Sequence, residues 1–255
     1  MIGCKCIRPP MGLWLIASLF GCASGLLVAP SDSAVDVPEL TDESVPIDGW
    51  TDEVAMDDGG LEPPPPRPPR LLVAGARHTC VIRAEGEVWC WGVNFDGQLG
   101  TGPRPPDAGV LPARVLGLND AVELSAGTRF TCALRRSGRV LCWGNNDYGQ
   151  RGLGFAGPRT SSGPDLEVSG LDDAVSIESG GDFSCARRAS GVLVCWGRNQ
   201  RGQCGRSEPE VMTAPAEVDV VGVVEAAAGF AHACVRVRSG NVWCWGSNSA
   251  GQIAV

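Results

Sequence analysis

The sequence predicts an all-β chain, a β-propeller assembled from four repeats of about 50 residues. Three observations carry that expectation. The segment Cys80-x9-Cys90-Trp91-Gly92 recurs as Cys132-x9-Cys142-Trp143-Gly144, Cys185-x9-Cys195-Trp196-Gly197 and Cys234-x9-Cys244-Trp245-Gly246, with first cysteines 52, 53 and 49 residues apart. The 35 Gly and 19 Pro of the 255-residue chain argue against long helices and mark frequent turns. One face of each predicted hairpin is apolar, and such a face must pack on a neighbouring sheet.

The chain opens as an export signal: Lys5 and Arg8 precede the apolar run Met11 to Phe20. Leu19-Phe20-Gly21-Cys22 resembles a bacterial lipobox. That resemblance implies that 1–21 is a lipoprotein-type signal peptide and that Cys22 becomes the lipidated first residue and membrane anchor. Two alternatives stand beside it. One is ordinary cleavage near Val28-Ala29; the other is an uncleaved anchor from Met11 to Ala29, near the lower length limit for a bilayer span. All three place the remainder outside the cytoplasm.

Residues 22–70 read as a disordered tether. Eleven acidic residues between Asp32 and Glu62 meet no base before Arg67, and too few large apolar groups accompany them to offset chain entropy. The run Pro63-Pro64-Pro65-Pro66-Arg67-Pro68-Pro69 favours a stiff polyproline II spacer. The acids lack the spacing of a calcium loop. The chain's net charge of −8 comes from this tether, because residues 71–255 hold 18 acidic and 17 basic residues. Such a balance argues against neutralising nucleic-acid phosphates, so no nucleic-acid partner is expected.

The repeats fill 71–255, divided at about 71–122, 123–175, 176–224 and 225–255. Each opens with a small pair (Ala74-Gly75, Ala126-Gly127, Gly180-Gly181, Ala228-Gly229) and carries Asn-x-x-Gly-Gln after its Trp-Gly. Those turns begin at Asn94, Asn146, Asn199 and Asn248. Pro-led strands are expected over Pro112 to Val115, Pro164 to Val168 and Pro215 to Val218.

Within each copy, glycine ends a three-residue hairpin loop: Gly86, Gly138, Gly191 or Gly240. That suits a type I turn followed by a left-handed bulge residue. Closing the first loop with the pair Arg83 and Glu87 sets Cys80 directly opposite Cys90, at a non-hydrogen-bonded position where Cα atoms approach to about 4.5 Å. The same register pairs Cys132 with Cys142, Cys185 with Cys195 and Cys234 with Cys244. In an exported chain these pairs are read as disulfides, each stabilising its hairpin by about 2–3 kcal/mol. Zinc is the rival for paired cysteines. Structural zinc sites usually use Cys-x2–4-Cys spacing, whereas these pairs lie across a hairpin with only His78 and His232 to complete them. Cys204 is left over, either as a buried free thiol or as an intermolecular bridge.

The small-Gly pair, the His/Phe-x-Cys entry, the glycine turn, Cys-Trp-Gly and Asn-x-x-Gly-Gln together are similar to the repeat of the regulator of chromosome condensation family. The resemblance covers about 71–255 and implies a propeller. Family members usually have seven blades, so four copies imply a longer chain or an incomplete ring that oligomerises; a closed four-bladed ring is the remaining option. Nucleotide exchange, the founding member's activity, is not expected of an exported chain without a matching wedge insertion. Bacterial relatives look like surface binding modules.

The function expected is therefore a surface-anchored or exported module that presents propeller loops to a protein or glycan partner. The alternatives are a secreted inhibitor of an extracellular enzyme and a cryptic hydrolase. No nucleophile elbow, paired-His metal motif or phosphate loop is present, and no cofactor is expected. Phe95, Tyr148 and Arg201, which differ between copies at loop positions, are the candidate partner contacts.

Overall fold

The computed structural model describes residues 71–102, 111–157, 164 and 166–254. The signal segment 1–21, Cys22 and the tether 22–70 lie outside the described residues. The described residues form four antiparallel sheets. The first contains β1 (Leu72–Ala74), β2 (His78–Ile82), β3 (Val88–Gly92) and β4 (Ala113–Arg114). The second contains β5 (Ala121–Ala126), β6 (Phe130–Arg135) and β7 (Val140–Gly144). The third contains β8 (Ala174–Ser179), β9 (Phe183–Arg188), β10 (Leu193–Arg198) and β11 (Val211–Glu217). The fourth contains β12 (Val223–Ala228), β13 (His232–Val237) and β14 (Val242–Gly246).

The hairpin register is the one the loop length dictates. Arg83 N–H donates to the Glu87 carbonyl at 2.8 Å, and Arg135, Arg188 and Val237 close their loops in the same way at 2.9–3.0 Å. From that closure, Cys80 falls opposite Cys90, Cys132 opposite Cys142, Cys185 opposite Cys195 and Cys234 opposite Cys244. Their Cα atoms are 4.0–4.2 Å apart, a placement compatible with cross-strand disulfides. In the first copy the loop departs from the expected turn, because Glu85 (φ 65) joins Gly86 (φ 85) in the left-handed region. Ala84–Gly86 is accordingly a short 3-10 turn.

Two expectations need correction. Each repeat has a strand before its small pair, so β5, β8 and β12 start at Ala121, Ala174 and Val223, two residues ahead of the boundaries set from sequence. Small residues hide these strands, and β5 alternates poorly because Ala-Val-Glu-Leu-Ser-Ala is covered on both faces, Glu123 included. The Pro-led strand of the second copy shrinks to a single bridge between Leu141 and Glu167. In the third copy it lengthens to seven residues and holds Pro215, tolerated because β11 lies at the sheet edge.

Sheet-on-sheet packing follows from the alternation of side chains. One face of each hairpin carries the cysteines; the other carries the Trp of Trp-Gly. Val73, Cys80, Val88 and Cys90 on the cysteine face of sheet one bury against Leu124, Ala133, Leu141 and Trp143 on the tryptophan face of sheet two. The same contact repeats from sheet two to three and from three to four within one continuous cluster.

A hydrogen bond fixes each junction. Trp143 Nε1 donates to the Gln98 carbonyl, Trp196 Nε1 to that of Gln150 and Trp245 Nε1 to that of Gln203, each at 2.9 Å. The Trp of one copy thus caps the Asn-x-x-Gly-Gln turn of the copy before it. Gly100, two residues after Gln98, lies under the indole: a Cβ there would sit 2.8 Å from Trp143 Nε1, and its φ is +65°.

Gly100→Ala and Gly117→Ala separate the indole contact from backbone strain. Gly117 has a similar φ of +74°, and a Cβ there meets nothing within 4 Å. Urea titration is expected to show Gly117→Ala losing about 1 kcal/mol and Gly100→Ala about 1–3 kcal/mol more. Equal losses would remove the indole contact from the account.

Candidate functional site

The β1–β2 connection and the turn after β3 emerge at one end of the first sheet, and their counterparts do so in the other three sheets. The Asn-x-x-Gly-Gln turns at that end are locked identically. Asn94 Oδ1 accepts the Leu99 N–H at 2.9 Å, and Gln98 Oε1 accepts the Asp96 N–H at 2.9 Å. Asn146 and Gln150 repeat this pair of bonds, as do Asn199 with Gln203 and Asn248 with Gln252, at 2.8–3.1 Å. Four rigid turns therefore hold whatever side chains stand at the two variable positions.

The candidate contacts sit on these turns. Phe95 is 77% exposed, Arg201 is exposed and Tyr148 is half-buried. Tyr148 and Arg201 occupy the third position of their turns, since the N–H of each donates to the turn glutamine. Phe95 stands one residue earlier, equivalent to Asp147 and Gln200, so the three are not strictly equivalent as the sequence comparison took them to be. The Arg198 guanidinium lies 4.7 Å from the Tyr148 ring centroid, which flattens Tyr148 across the second and third copies.

Between the turns runs a charged seam that sequence reasoning missed. Arg129 stands 3.5 Å from both Asp96 and Asp147. Asn145 Nδ2 donates to both of those carboxylates at 2.9 Å, and Asn145 Oδ1 accepts from the Asp147 N–H and from Gln150 Nε2. Asp182 is 3.6 Å from Arg198. Burial pushes the Asp182 carboxyl above its ordinary value, against the pull of Arg129 and Arg198. The available signal was the charged residue before the His/Phe-x-Cys entry, Arg129 or Asp182 in the second and third copies, but nothing in spacing shows that it reaches the neighbouring turn.

The histidines sit below this surface. His78 is buried at the position of Phe130 and Phe183, and in all four copies the ring lies against the glycine of the small pair. His78 Nε2 is 2.8 Å from Thr131 Oγ1, whose own proton goes to the Gln98 carbonyl, so Nε2 is the donor. Burial lowers the His78 pKa to about 4, only partly opposed by a hydrogen bond with the Phe130 backbone. Cys204 is fully buried with Sγ 3.5 Å from the Arg198 carbonyl, and burial raises its thiol pKa. This placement suits a structural thiol and leaves no path to an intermolecular bridge without local unfolding. Among the described residues no group of three or more His, Cys, Asp or Glu side chains is arranged to hold a metal ion.

Two models of the regulator of chromosome condensation (RCC1) repeat match the chain, one over 70–98, 121–150, 174–203 and 223–252, the other over 85–134 and 137–187. The chain belongs to the RCC1-repeat family. It is 31% identical to the human probable E3 ubiquitin-protein ligase HERC6 over 170 residues, 64% of this chain and 16% of that protein. The curated relatives it matches are longer, and the shared stretch covers 3–39% of their lengths. Among solved structures, human WBSCR16 superposes with a TM-score of 0.60 at 24% identity, over 68% of this chain and 45% of that one. Yeast RCC1 (Prp20), crystallised bound to Kap60, superposes at 0.51 and 20% identity, over 71% and 56%. These likenesses establish the propeller-type fold. The matches of the family models lie within residues 70–252.

The His78 geometry has a pH signature. Its folded pKa lies below the unfolded value of 6.5, so stability present above pH 6.5 is lost as pH falls toward 4. The full loss is on the order of 3 kcal/mol. His78→Phe installs the residue of the second and third copies and is expected to melt with a smaller loss of Tm between pH 6.5 and 4 than the parent. Parallel curves for the two proteins would contradict the burial argument.

Proposed function

We propose that this chain is an exported, lipid-anchored binding module that presents the turn end of its RCC1-type sheets to a protein or glycan partner. The observation that carries the proposal is the contrast within each turn: the Asn and Gln bonds are the same in all four copies, while the outward side chains differ. A rigid frame with variable tips is how loops on a scaffold achieve recognition. Phe95, Tyr148 and Arg201 supply aromatic and guanidinium groups, the types that dominate interface energies, beside a seam able to donate and accept hydrogen bonds. The solved complex of yeast RCC1 with Kap60 supports a protein as the partner class. The repeats carry no catalytic role in this proposal.

Export is supported by Lys5, Arg8, the run Met11 to Phe20 and Cys22. It is supported again by four facing cysteine pairs, which an oxidising compartment would close as disulfides. The acidic tether then holds the repeats away from the membrane.

Two measurements test this. In a bacterial host, the parent is expected in the membrane fraction with its four cysteine pairs oxidised and Cys204 free by non-reducing peptide mapping. Cys22→Ser is expected in the soluble fraction. Membrane retention of that variant would remove the lipid anchor from the proposal. For the binding surface, a triple Phe95→Ala, Tyr148→Ala, Arg201→Ala chain is expected to lose at least tenfold in affinity for a partner captured from surface proteins or a glycan array. Leu116→Ala, outside the turns, serves as the control; equal binding by both variants would refute the turn surface.

A further inference from the structure

The three sheet junctions define an interface by example, and the two terminal sheets show its halves uncovered. At each junction a cysteine face meets a tryptophan face. Among the described residues no sheet lies against the tryptophan face of sheet one: Leu72 is 63% exposed, while its equivalents Leu124, Ile177 and Ala226 are 0–8% exposed. Trp91 is half-buried where Trp143, Trp196 and Trp245 are buried. The cysteine face of sheet four shows the converse. Val242 is 38% exposed, while Val88, Val140 and Leu193 are fully buried, and Gln252 is less covered than Gln98, Gln150 and Gln203.

The two faces are therefore not packed on one another within the chain, and each is the repeat-equivalent of the surface that covers the other kind. We propose that they dock between copies of this chain: the tryptophan face of sheet one seats on the cysteine face of sheet four of a second copy, with Trp91 Nε1 donating to the Gln252 carbonyl. This contact is heterologous, with different patches meeting head to tail, so it closes only if the turn per sheet permits. Two copies bring eight sheets, within the four to eight blades that propellers use, and a closed pair satisfies both open faces at once. The driving force is the one already used three times inside the chain: burial of apolar side chains plus one indole hydrogen bond, with no new chemistry required. The proposal is independent of the turn-end binding surface, which uses neither face.

Light scattering after size exclusion tests it on the full chain carrying Cys22→Ser, which keeps the sample free of detergent. The parent is expected at twice the mass of its own single chain. Leu72→Asp and Val242→Asp alter positions that are already exposed, so each is expected to keep the parent's far-UV circular dichroism yet elute as a monomer at concentrations where the parent is paired. Mixed in equal amounts they are expected to recover a two-chain species, because each retains the face the other has lost. A monomeric parent overturns the proposal, as would be the case were the tether or a further repeat the true cover. Paired single variants overturn it too, and so does a mixture that stays monomeric. Should Leu72→Asp fail to fold, Leu72→Ser carries the same test.

Discussion

The indole-to-carbonyl bond between successive copies is the constraint on which the rest of the molecule depends. A four-stranded sheet of short strands has no core of its own; it becomes stable when both faces are covered. The Trp of one copy reaches across to the glutamine carbonyl of the copy before it, and the turn glycine beside that carbonyl clears room for the ring. A buried indole N–H without an acceptor would cost about 1–3 kcal/mol, so the bond sets register between sheets as well as adding attraction. The repeated Trp-Gly and Asn-x-x-Gly-Gln motifs are then two halves of one device, separated in sequence and joined in space.

The same device explains why the turn end suits recognition. Once a glutamine carbonyl is engaged by the next sheet, its side-chain amide is free to accept the turn N–H, and the asparagine accepts another. The turn backbone is thereby held from both sides. Of the two residues between Asn and Gly, the Asn and Gln bonds engage only the N–H of the one before the glycine, so they form with any side chain at the two intervening positions. Phe95, Asp147, Tyr148, Gln200 and Arg201 occupy those places. The repeats are almost neutral overall, and at the turn end Arg129 stands beside two aspartates from neighbouring copies.

What could be read from the sequence was what local chain geometry determines. A three-residue loop and strict alternation are enough to place Cys80 opposite Cys90, and the structure follows that register in all four copies. The turn role of the Gly-Gln pairs was legible for the same reason. What escaped was set between copies. The strand β5 before the second small pair is covered on both faces and so lacks a clear two-residue period, and the glycine of each pair proved to be a seat for His78, Phe130, Phe183 or His232. The charged seam and the Trp-to-Gln bond likewise depend on which sheet stands next to which, information that spacing within a copy does not hold, whereas the one-residue offset of Phe95 can be counted from the Asn of each turn.

The residue after each turn glutamine is where the copies stop resembling one another. Leu99, Arg151, Cys204 and Ile253 stand there, all buried, and Arg151 directs Nε at the Cys142 carbonyl from a site with no solvent exposure. Near-identical modules in tandem invite exchange during folding, with one module nesting where another belongs. Here such an exchange would carry a guanidinium into a slot shaped for a leucine or a thiol, at the cost of an uncompensated buried charge. The four residues thus distinguish otherwise similar modules at a buried position where most of the repeat is alike.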